Sequence, residues 1–139
     1  MTRIPRTPPY EIEMDLRWSD QDAQGHVNNA KVVTLAEEAR IRFHAHLDAL
    51  RGQADRSSGA LVVARQEIDY HASVHYAPSL TLQVSVVRIG TKSFTLRQHA
   101  LQDGHDAFTV DSVLVRLDED GASRALTDVE RAELEAWTA

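Results

Sequence analysis

From Tyr10 the chain alternates strictly. Tyr10, Ile12, Met14, Leu16 and Trp18 fall on one side, and Glu11, Glu13, Asp15 and Arg17 on the other. A period of two predicts a half-buried strand, with Trp18 in the core. After the polar stretch Ser19 to Gly25 the period lengthens. Val32, Ala36, Ala39, Phe43, Leu47 and Leu50 step by three and four, with Ile41 nearly opposite. That spacing predicts a helix of about five turns, capped by Asn28 or Asn29 and ending before Gly52, with Phe43 in the core. Glu38 and Arg42 flank its apolar stripe as an i, i+4 pair. A polar loop follows over 52–59. Four further strands are predicted at Leu61 to Tyr70, Leu80 to Ile89, Ser93 to Gln102 and Ala107 to Leu117. The dipeptide Asp103-Gly104 signals a turn between the last two. Thr127-Asp-Val-Glu130 has the capping-box pattern and opens a short helix through Trp137. Met1 to Pro9, with Pro5, Pro8 and Pro9, reads as an extended arm.

The order is strand, long helix, four strands, short helix. Consecutive strands without intervening helices favour hairpins, hence an antiparallel α+β domain in which the sheet wraps around one long helix. At 139 residues the chain fits a single domain spanning 1–139. A composition 42% hydrophobic and 26% charged excludes collagen-like and disordered classes. The net charge of -6 argues against nucleic acid as a partner. The absence of cysteine removes disulfide scaffolds, thiol nucleophiles and Cys-ligated metals. No apolar run is long enough for a membrane span, and the N-terminus lacks the apolar region of a signal peptide. The expected location is the cytoplasm.

The densest polar segment, Ser19 to Ala30, holds Asp20, Asp22, His26, Asn28 and Asn29 between a strand end and a helix start. A helix N-terminus presents unpaired N–H groups and a positive dipole end, which can polarise a carbonyl oxygen. A nearby carboxylate can act as base or nucleophile on that carbonyl, the layout that acyl transfer needs. The same residue types also serve as turn and cap residues, and the local pattern leaves both readings open. Elsewhere, Glu37 and Glu38 read as ion-pair partners of Arg40 and Arg42. His71 and His75 have metal-like spacing, but in a strand and turn, so no metal site is expected. His44 and His46 point to different helix faces.

The run Asp22-Ala-Gln-Gly-His-Val-Asn-Asn-Ala-Lys31, followed by Leu35-Ala-Glu-Glu-Ala-Arg40, resembles the hot-dog-fold acyl-CoA thioesterases. It is most similar to the 4-hydroxybenzoyl-CoA thioesterase-like group, which includes long-chain acyl-CoA thioesterases. Arg88-Ile-Gly-Thr-Lys-Ser-Phe94 resembles the family's strand-turn segment. The resemblance implies a hot-dog fold and hydrolysis of an acyl-CoA thioester to free acid and CoA. It implies Asp22 as nucleophile or general base, and the helix N-terminus at Asn29 as the oxyanion site. Gly25 would let the backbone turn near the substrate, and His26 would support the loop. Arg88, Gly90, Lys92 and Ser93 would contact CoA, serving a neighbouring subunit's active site. No metal or redox cofactor is implied, CoA entering only as part of the substrate. A homodimer or homotetramer is expected, and a carrier-protein thioester is the other substrate possibility.

The chain departs from the family at Ser73 and Pro78, and at Val32 and Val33 where an aromatic is usual; these bear on acyl preference. Two competitors share the fold. One is a hydratase or dehydratase, whose Asp–His spacing is one residue longer. The other is a non-catalytic acyl-CoA-binding domain.

Overall fold

A computed structural model describes residues 8–51, 60–77 and 79–138. Most of the expected N-terminal arm, the 52–59 loop and Pro78 lie outside the described residues. Strands β1 (Tyr10–Asp15), β2 (Leu61–Tyr70), β3 (Ser79–Ile89), β4 (Ser93–Gln102) and β5 (His105–Arg116) form one antiparallel sheet in the order β1-β3-β4-β5-β2. Helix α1 (Asn29–Arg51) packs across β1, β3 and β4, and the short α2 (Asp128–Ala136) packs on β3. This is the hot-dog architecture expected from the sequence. No helix among the described residues is long and apolar enough to cross a membrane.

The alternation along β3 is expressed fully. Leu80, Leu82, Val84 and Val86 are buried while their neighbours face outward. The α1 stripe behaves likewise, with Val32, Ala36, Ala39, Phe43 and Leu47 buried and Ile41 exposed. At 23 residues the helix is about six turns long, a turn more than predicted. A buried polar chain crosses the core. Gln98 Nε2 donates to the Ala36 carbonyl (2.9 Å), Ser112 Oγ donates to Gln98 Oε1 (3.2 Å), and Gln66 Nε2 donates to Ser112 Oγ (3.2 Å). It fixes how α1 sits along the sheet, since sliding the helix would strand a buried amide. The β4–β5 turn has Asp103 at φ 52° and Gly104 at φ 77°, the positive pair that a tight two-residue hairpin needs. Trp137 follows α2, is buried, and meets Phe43 edge-on at 5.6 Å.

One expectation fails. Trp18 is neither strand nor core: it opens a short 3-10 turn (Trp18–Asp20) and is 73% exposed, edge-on to Tyr76. The cause is the ladder. β1 pairs with β3 only from Tyr10 to Asp15, whose partner Ser79 is the first residue of β3. Beyond Asp15 the ladder does not continue among the described residues. The Arg17 N–H donates instead to the Asp20 carboxylate (2.9 Å), which turns the chain away.

Candidate functional site

The segment from Gln21 to Asn28 folds into a compact loop between β1 and α1. An isolated antiparallel bridge joins Gln21 to Val27, and the Asp22 N–H donates to the His26 carbonyl (2.8 Å). The Asp22 carbonyl accepts from the Gly25 N–H (3.1 Å). Asp22 Oδ1 accepts the Gln24 N–H (2.9 Å), with the His26 N–H at 3.5 Å. The other carboxylate oxygen makes no hydrogen bond among the described residues, and the side chain is exposed. Gly25 closes the loop at φ 80°, a conformation costly for other L-residues. A Cβ there would touch nothing within 4 Å, so glycine is required for its backbone angle rather than for close approach.

The helix start lies beside this loop. Asn28 Oδ1 accepts the Ala30 N–H (2.9 Å), so Asn28 is the cap and Asn29 the first helical residue. The Asn29 N–H has no acceptor among the described residues. Asp22, His26 and Asn29 line one cavity of about 420 Å³, together with Gln24, Tyr70 and His71. Its apolar floor includes Val32 and Phe108. The Asp22 carboxyl group and the open Asn29 N–H at the start of α1 therefore share one solvent-accessible space. There the helix end can stabilise negative charge developing on a carbonyl oxygen.

The structure brings Asp22, Gly25, His26 and Asn29 together. It places Asp20 elsewhere: that carboxylate is buried and holds Arg17. His26 Nδ1 is buried with no hydrogen-bond partner among the described residues, and its ring leans on His75 at 5.0 Å. His71 Nε2 instead meets Thr109 Oγ1 at 3.1 Å, so His71 and His75 serve different contacts. Glu38 pairs with Arg42 at 3.0 Å, as its spacing predicts. Burial holds the Arg40 guanidinium below its ordinary pKa, against the opposing pull of Glu37. Sequence reasoning missed the cavity wall formed by Tyr70, His71 and Ser73. The one available signal was Tyr70, the last member of the inward-facing series Gln66, Ile68, Tyr70.

Arg88, Gly90, Lys92 and Ser93 lie at the other end of the sheet. They sit around the β3–β4 turn, whereas the Asp22 loop lies beyond the far ends of the same strands. β4 has 10 residues, which separates the two regions by about 30 Å within one chain. The turn itself is tightly made. The Gly90 N–H donates to the Ser93 carbonyl (2.7 Å), and a Cβ on Gly90 would sit 3.1 Å from Ser93 Oγ. Arg131 donates to the Gly90 carbonyl (2.9 Å), and the exposed Lys92 reaches Ser123 at 3.5 Å.

Residues 16–138 match the family model of the thioesterase-like superfamily. The uncharacterized protein YsmA of Bacillus subtilis is 30% identical over 126 residues, covering 88% of this chain and 82% of that protein. A thioesterase from Thermus thermophilus, solved with coenzyme A and zinc, superposes with a TM-score of 0.80 at 30% identity, over 95% of each chain. A predicted thioesterase from Bacillus stearothermophilus superposes with a TM-score of 0.82 at 25% identity, over 94% of this chain and 97% of that one.

Proposed function

The chain belongs to the thioesterase-like superfamily, and from that premise we propose that it hydrolyses an acyl-CoA thioester to a free acid and CoA. The observation that carries this reading is the cavity shared by the Asp22 carboxylate and the N-terminus of α1. The likeness to a thioesterase solved with coenzyme A supports CoA as the carrier.

The thioester carbonyl sits with its oxygen at the Asn29 N–H. Asp22 takes a proton from water, and the resulting hydroxide adds to the carbonyl carbon. The tetrahedral oxyanion is stabilised by the helix end, where loss of one such donor costs about 10²- to 10³-fold in other enzymes. Collapse breaks the C–S bond and expels the CoA thiolate, which recovers the proton. In the alternative course Asp22 itself attacks, and water then hydrolyses the mixed anhydride. A thiol of pKa about 8.5 leaves readily, so a carboxylate and one oriented donor suffice. Water is the only co-reactant consumed.

The catalytic unit in this reading is a dimer. β2 is an edge strand, and part of its inner face is left uncovered, with Val63 41% and Tyr70 50% exposed. Pairing of two β2 edges would cover it. It would also bring another subunit's Arg88 and Lys92 within range of CoA bound at the Asp22 cavity. Free-thiol release from a panel of short, branched, aromatic and long-chain acyl-CoAs tests the proposal. Turnover of at least one is expected. Binding without release from any of them would overturn hydrolysis of CoA esters, in favour of a binding role or a carrier-protein substrate.

A further inference from the structure

Residues 71–74 wall the Asp22 cavity, yet segment 71–77 belongs to no strand. Its main-chain groups are met from outside the sheet ladder. The His71 and Ala72 N–H groups both donate to the Ala107 carbonyl (2.9 and 3.0 Å), and the Val74 carbonyl accepts from the Val27 N–H (2.7 Å). His75 is held differently. Its N–H donates to Gln102 Oε1 (3.0 Å), and its carbonyl accepts from Gln102 Nε2 (2.9 Å). One side-chain amide thus takes the place of a strand partner. Gln102 is the last residue of β4, is buried, and is anchored by the tight Asp103-Gly104 turn.

The contacts continue toward the site. The His75 ring packs on His26 at 5.0 Å, and Val74 holds Val27. The His26 carbonyl in turn receives the Asp22 N–H. A residue needed at position 102 only to fill space could be Leu or Met. A buried amide is costly unless both its donor and its acceptor are used, and here a single residue uses both.

We propose that Gln102 is a positioning residue for hydrolysis: through His75 it seats His26 and the Asp22 loop against the N-terminus of α1. The proposal rests on Asp22 being the reacting carboxylate. Methionine fills similar space but can neither donate nor accept as the amide does. Gln102→Met therefore leaves the loop sequence intact and removes the lock. Errors of about 1 Å in placement can cost up to about 10²-fold in rate.

The test is a double-mutant cycle on thiol release, using the acyl-CoA that wild type turns over best, with thermal unfolding measured alongside. Gln102→Met is expected to remain folded and to lose about tenfold in kcat, with KM within about twofold. In the Asp22→Asn background the same change should alter the residual rate by less than about twofold, because no carboxylate remains to be placed. An equal loss in both backgrounds would show that Gln102 does not act through the Asp22 carboxylate and would overturn the proposal. So would a wild-type kcat in Gln102→Met beside a slow Asp22→Asn. A wild-type rate in Asp22→Asn would overturn the reading of Asp22, and this proposal with it. Should Gln102→Met fail to fold, Gln102→Glu keeps the acceptor, lacks the donor and carries the same comparison.

Discussion

Asp20 and Asp22 stand two residues apart and have opposite surroundings. Asp20 is buried, with its carboxylate on the Arg17 N–H and its carbonyl on the Asn28 N–H. Asp22 is exposed at the cavity, with one oxygen ordering its own loop and the other open. Composition cannot separate them. The resemblance to the acyl-CoA thioesterases points to Asp22, but the structural task of Asp20 is visible only once the ladder is known to end at Asp15. Gly25 gives a test at this scale. Gly25→Ala meets no clash, so its cost is the backbone strain of φ 80°, about 1–2 kcal/mol. Thermal unfolding should show that loss. Thiol release should fall further than stability alone explains, because the strain sits in the loop that carries Asp22. A variant with unchanged melting and turnover would contradict this account of the glycine.

Elements were legible wherever one physical pattern controlled them. β3 and α1 announce their buried faces by periods of two and of three to four. The Thr127–Glu130 capping box forms as its spacing predicts, with both hydrogen bonds made. The alternation through Trp18 misled because a side-chain pattern says nothing about where the neighbouring strand begins. Segment 71–77 was illegible for a related reason: its hydrogen-bond partners lie at Val27, Gln102 and Ala107, distant in sequence. α2 has a further task that its sequence hid. Glu130 is buried against Arg116 (2.8 Å) and Arg124 (2.8 Å), tying the helix to β5. Burial raises its pKa. The hydrogen bonds from Arg124 and the Thr127 N–H, with the charges of Arg116 and Arg124, outweigh burial and lower it to about 2. Because the folded-state pKa is depressed, this stabilisation is present above pH of about 4.5 and lost as pH falls toward about 2. Glu130→Gln should cost about 3–5 kcal/mol at neutral pH and flatten the acid limb of a stability-versus-pH curve. An unchanged acid limb would show that Glu130 does not set it.

In the whole molecule the proposed Asp22 site and the candidate CoA contacts lie at opposite ends of the sheet, about 30 Å apart along β4. In the dimer proposed above, a second copy would bridge that separation. A groove of about 630 Å³ runs between α1 and β2, lined by Ile41, Leu61, Val63 and Leu114 together with charged residues such as Glu37, Arg40 and Asp48. Light scattering should give twice the 15.5 kDa chain mass or a multiple of it. Val63→Lys places a charge on the exposed inner edge and should shift the protein toward monomer, with loss of turnover. An active monomer would contradict a site shared between subunits.

The central claim is that Asp22 performs the hydrolysis, and the most direct measurement compares Asp22→Asn with Asp20→Asn in single-substrate thiol release at matched folded fraction. Asp22→Asn is expected to lose about 10²-fold or more in kcat with little change in melting. Asp20→Asn should melt earlier yet keep most of its kcat. If Asp22→Asn instead turned over at the wild-type rate, the assignment of Asp22 as the reacting carboxylate would be wrong.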